Sequence, residues 1–67
     1  MIKVEREQLM EGLGYTKIKT WLFKKRIADK VVYLRFLAGE NWDKWIWKDG
    51  KPIEIIEFTE SDLKKYV

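Results

Sequence analysis

A chain of 67 residues has room for one domain, residues 1–67, and one small core. It contains neither Cys nor His, which excludes disulfides and deprives zinc of its two best ligands. Core stability must then come from the four Trp, three Tyr and three Phe, each able to bury roughly 150–250 Å².

The net charge of +3 is unevenly spread. Lys17, Lys19, Lys24, Lys25, Arg26 and Lys30 face only Asp29 within residues 17–30, so this stretch carries the whole positive excess. A basic block on one element is the footprint of a phosphate-binding surface. The opening Met1-Ile2-Lys3-Val4-Glu5-Arg6 lacks the apolar run of a signal peptide, and no window approaches the ~20 apolar residues of a membrane span. A cytoplasmic protein without a membrane partner is expected.

In chain order, residues 4–13 read as a short helix with Glu5 and Glu7 in its first turn, Leu9 and Leu13 on one face, and Gly14 as a left-handed C-terminal residue. Thr16 is a fair N-cap for a second helix over 17–28, where Ile18, Trp21 and Leu22 form an apolar stripe. The same residues also alternate as a strand would, and the length of the segment favours helix. From residue 31 the period changes. Val31 to Leu37 and Trp42 to Lys48 read as strands, separated by a loop at 38–41. Asp49-Gly50 is a hairpin signal, Ile53 to Phe58 is the returning strand, and Thr59 caps a last helix whose apolar face includes Leu63.

Catalysis has little to work with, and no enzyme and no cofactor are expected. Ser61 sits in the predicted cap with no His to activate it. Asp43, Asp49, Glu54 and Glu57 read as solvent-facing hairpin residues rather than an acid–base pair. Gly12 and Gly14 flank a helix end and lack the Lys-Ser/Thr of a phosphate loop, and there is no Asp-rich calcium loop.

Helix, turn, helix, β-hairpin and helix is a winged helix-turn-helix layout, an α+β fold. The opening VEREQLMEGLGYTKIKTWLFKKRI resembles the start of excisionase-type winged-helix proteins. The closing WIWKDGKPIEIIEFTESDLKKYV resembles their hairpin wing and short C-terminal helix, with Asp49-Gly50 at the wing tip followed by Lys51 and Ile53 to Ile55. The likeness is to the small excisionases of conjugative transposons and phages. It implies an architectural factor that bends double-stranded DNA near recombination sites beside an integrase or recombinase, or a small transcriptional regulator of a mobile element.

In such a fold the second helix enters the major groove. Lys17, Lys19 and Thr20 would then reach base edges, Lys24, Lys25 and Arg26 would lie along phosphates, and Lys48 and Lys51 would flank the wing tip at an adjacent minor groove. Two other readings stay open. Trp42, between polar Asn41 and Asp43, is the Trp expected to be exposed, and an exposed Trp suits a protein-binding hot spot in a small phage-type effector that inhibits a host protein. Trp21, Trp45 and Trp47 are expected in the core or at its edge. Alternatively, residues 17–37 form a β-hairpin and the fold is a small β-barrel with flanking helices. It would bind single strands by stacking bases on Trp and Tyr, provided Trp42, Trp45 or Trp47 faces solvent; residues 45 and 47 share a face.

Overall fold

The computed structural model describes residues 3–67; Met1 and Ile2, part of the stretch read above for a leader, lie outside the described residues. Helix α1 (Lys3–Gly12) presents Arg6, Leu9 and Met10, with Leu13 just beyond it, as one inward stripe. Its end follows from Gly14, which takes φ +89°. That left-handed step lets the Gly14 N–H donate to the Glu11 carbonyl (3.0 Å) and the Tyr15 N–H to the Met10 carbonyl (2.9 Å). Both the helix and the role of Gly14 match the sequence reading.

The expected second helix does not form. Residues 17–28 fall in strand β1 (Thr16–Lys19), a turn at Thr20-Trp21 and strand β2 (Leu22–Ile27). Three further strands follow: β3 (Lys30–Phe36), β4 (Asn41–Lys48) and β5 (Lys51–Thr59). They pair antiparallel in the order β1-β2-β3-β4-β5, each with its sequence neighbour. A 3-10 turn (Glu60–Asp62) and helix α2 (Leu63–Tyr66) close the described chain. The winged helix-turn-helix is therefore corrected to a five-stranded meander with two short helices. The β-barrel alternative is corrected as well: the sheet is open, with β1 and β5 as its edges.

Two physical reasons favour strand over helix at 17–28. A helix would bury the stripe Ile18, Trp21 and Leu22, whereas the strand pair sends Phe23 into the core with no exposed surface and leaves Ile18 and Trp21 at 40% and 45% exposure. β3 also needs hydrogen-bond partners on both sides, and β2 supplies the second ladder from Leu22↔Arg35 to Ile27↔Lys30.

Strand alternation divides the sheet into two faces. The covered face carries Phe23, Val32, Leu34, Phe36, Trp42, Ile46 and Phe58 beneath Met10 of α1 and Leu63 of α2. Trp42 lies at its centre, stacked near-parallel to Phe58 (6.5 Å) and edge-on to Phe36 (5.4 Å). Arg6 enters this core from α1 by laying its guanidinium over the Phe36 ring at 3.8 Å. Burial raises the pKa of the Tyr15 hydroxyl in the same core.

Two local devices keep the faces in register. Asp49 (φ +54°) and Gly50 (φ +77°) form the two-residue turn between Lys48 and Lys51, as the hairpin signal implies. In β5, Ile53 and Phe58 both face the core although their odd separation puts them on opposite faces of a regular strand. A bulge resolves the conflict. Ile46 pairs with Ile53 and Lys44 with Ile56, and Glu54, at φ +52°, takes up the extra residue.

Candidate functional site

The second face of the sheet is built by the alternate residues of the same strands, in three cross-strand rows. One runs Lys19, Leu22, Arg35, Asp43, Glu57; the next Thr16, Lys24, Tyr33, Trp45; the third Arg26, Val31, Trp47, Pro52. Both helices contribute to the opposite, covered face. The bulge at Glu54 turns Ile55 onto this open face beside Trp45, and Ile55 is 65% exposed.

Aromatic rings form the middle of the open face. Tyr33 and Trp45 are cross-strand partners, and their rings stack with centroids 5.2 Å apart and planes 8° from parallel. Trp47, two residues along β4, is 43% exposed. The stack stands between two shallow clefts. Tyr33 lines one of about 200 Å³ together with Gly14, Thr16, Lys24, Lys25, Arg26 and Val31. Trp45 lines the other, of about 230 Å³, with Trp47, Pro52, Ile55, Arg35 and Asp43.

The charges on this face differ in their freedom. Arg35 donates through Nε (3.1 Å) and Nη2 (2.5 Å) to the two carboxylate oxygens of Asp43, and its guanidinium lies 5.3 Å from the Trp45 ring centroid. The hydrogen bond to Asp43 raises the pKa of Arg35 further, so this side chain is a fixed cation whose charge is already compensated. Lys24 and Arg26 are exposed and make no ion pair among the described residues. They are two apart on β2, so their stems leave the same face about 7 Å from one another.

The basic residues expected to act together are dispersed. Within Lys24-Lys25-Arg26, the strand sends Lys25 to the other face, where its ammonium donates to the Leu13 carbonyl (2.8 Å) and lies 5.6 Å from the Tyr15 ring. Lys17 turns toward α1 and pairs with Glu7 at 3.5 Å. Lys19 is exposed at the end of β1, and Thr20 lies in the turn rather than at a helix N-terminus. Lys48 approaches Asp29 at 3.9 Å, and Lys51 is exposed across the Asp49-Gly50 turn. No recognition helix gathers Lys17, Lys19 and Thr20.

The Trp assignments are reversed. Trp42 is fully buried, so it offers no protein-binding anchor, while Trp21 and Trp47 are exposed. Its polar neighbours misled the reading. Asp43 is itself buried, satisfied by Arg35 eight residues back in the chain, a pairing that only the β3–β4 register reveals. Tyr33 and Ile55 were missed as site residues. The signal for Tyr33 was present in its two-residue spacing from Val31 and Arg35, once residues 31–37 are taken as a strand.

Among the described residues no three acidic side chains converge as a metal-ligand group, and no helix is long and apolar enough to cross a membrane. Comparison with protein-family models, with curated proteins and with solved structures finds no match.

Proposed function

We propose that this protein binds single-stranded nucleic acid on the open face of its sheet. The observation that carries the reading is the joint placement of three aromatic residues, Tyr33, Trp45 and Trp47, beside two cations, Lys24 and Arg26, that make no ion pair among the described residues, on a face to which neither helix contributes. Single-strand binders combine aromatic platforms for bases with a basic track for the backbone, and each stacked base contributes about 1–3 kcal/mol. A duplex hides its base faces and is read by an element that enters a groove. The strand pair at 16–27 supplies no recognition helix, and the rings of the open face are flat platforms for unpaired bases, so capture of a single strand suits this surface better than duplex bending beside an integrase. The host-protein reading loses the anchor expected of it, because Trp42 is buried; the exposed Trp47 shares its face with Lys24 and Arg26, which suits a phosphate-bearing ligand better.

The test is a titration of a fluorescently labelled ten-nucleotide single strand and of the matching duplex at low and moderate salt, with protein Trp emission followed in parallel. The single strand should bind more tightly than the duplex, quench Trp emission, and weaken with salt. Absence of single-strand binding at low salt, or a preference for the duplex, overturns the reading.

A further inference from the structure

We infer that the cleft beside Tyr33 is a single-nucleotide subsite, in which one base stacks on Tyr33 and its phosphate is held by Lys24 and Arg26; this rests on the single-strand reading above. The argument begins with the ring stack. Trp45 shares one flank with Tyr33 and lies near the Arg35 guanidinium, which Asp43 holds in place. Tyr33, but not Trp45, lines the basic cleft. A planar base entering there continues a row already built from a guanidinium and two rings.

The dimensions and polarity of the cleft agree with this occupant. Its volume of about 200 Å³ accommodates one base and no large peptide segment. Thr16 offers a hydroxyl at the wall, and the stem of Lys25, packed against Gly14, closes that side. Lys24 and Arg26 border the cleft, are uncompensated by any carboxylate among the described residues, and complement a phosphate. The second cleft is of similar size, about 230 Å³, and differs in its lining. It is apolar along Trp47, Pro52 and Ile55, and its one cation is already paired. Phosphate recognition is thereby assigned to the β1–β2 side of the face and plain stacking to the β4–β5 side.

The experiment has two arms on the full chain. In the first, adenosine 5′-monophosphate, adenosine and ribose 5-phosphate are titrated into ¹⁵N-labelled protein. The nucleotide should shift the amides of Gly14, Thr16, Lys24 and Tyr33 at lower concentration than either fragment. In the second, the single-stranded ten-mer is titrated into variants. Tyr33→Leu should weaken binding about tenfold and Tyr33→Phe should restore it. Lys24→Gln with Arg26→Gln should lower the slope of log affinity against log salt by about 0.7, the share of one phosphate on a single strand. Thermal melts of each variant identify any that fail to fold, and the nucleotide titration of the unaltered protein stands independently of them. If the ten-mer binds but the nucleotide leaves these amides unmoved and Tyr33→Leu keeps full affinity, the subsite is refuted and the single-strand reading survives. If neither ten-mer nor nucleotide binds at low salt, both fall.

Discussion

The two faces of the sheet are made from the same strands and from similar aromatic residues, yet they serve opposite ends. On the covered face Phe23, Phe36, Trp42 and Phe58 interlock under α1 and α2. On the open face Tyr33 and Trp45 stack on each other and Trp47 faces solvent. Aromatic content alone therefore does not measure core size. Parity along the strand decides which rings hold the fold together and which are left on the open face.

The comparison breaks most visibly at Trp42. Trp42→Ala should cost about 4 kcal/mol, enough to unfold much of the population of so small a domain, as read by chemical denaturation. A loss of ligand binding with stability intact would show instead that Trp42 is a contact residue. The open face should resist such changes except at one pair. Asp43→Ala removes a buried carboxylate that holds the Arg35 guanidinium, and should cost about 2 kcal/mol in the same assay. It also releases a cation onto the face, so single-strand affinity at low salt should rise even as stability falls.

Trp47→Ala sharpens the contrast in the reverse direction. With the ring 43% exposed, the stability change should stay below about 1 kcal/mol, while affinity for the ten-mer drops several-fold. The smallest effect concerns neither face but the turn between β2 and β3. Ala28 sits at φ +55° in the two-residue loop between Ile27 and Lys30, a conformation that an L side chain adopts at a cost. Ala28→Gly should relieve that strain, partly offset by the greater freedom of Gly in the unfolded chain. A net gain of about 0.5 kcal/mol is expected, a rise of roughly 2–4 °C in Tm by calorimetry.

Much of the architecture was legible because local chemistry specified it. Gly14 ends α1, Asp49-Gly50 turns the last hairpin, and the β-branched and aromatic runs at 31–37, 42–48 and 53–58 all became strands. The failure at 17–28 has a definite cause. Ile18, Trp21 and Leu22 satisfy a helical stripe by coincidence, and the alternation that sends Phe23 inward competes with it at equal strength within a short window. The preference was decided by a long-range fact, the need of β3 for a second partner, which no local pattern displays. The candidate site suffered from the same ambiguity. A helix would have fanned Lys24, Lys25 and Arg26 around its axis, whereas a strand sets Lys24 and Arg26 on the face of Tyr33 and turns the Lys25 ammonium to the Leu13 carbonyl. The bulge at Glu54, which delivers Ile55 to the open face, has no sequence signature beyond the odd spacing of Ile53 and Phe58.

The meander order has a kinetic consequence. Every ladder joins strands that are adjacent in the chain, and three of the four connections are two-residue turns at Thr20-Trp21, Ala28-Asp29 and Asp49-Gly50. Loop closure then carries a small entropic cost at each step, and the contact order is low for a protein made mainly of sheet. Folding can advance hairpin by hairpin from any of these turns, each new strand finding a ladder already in place. Refolding should be faster than the milliseconds-to-seconds range of sandwiches and barrels, whose partner strands are distant in sequence.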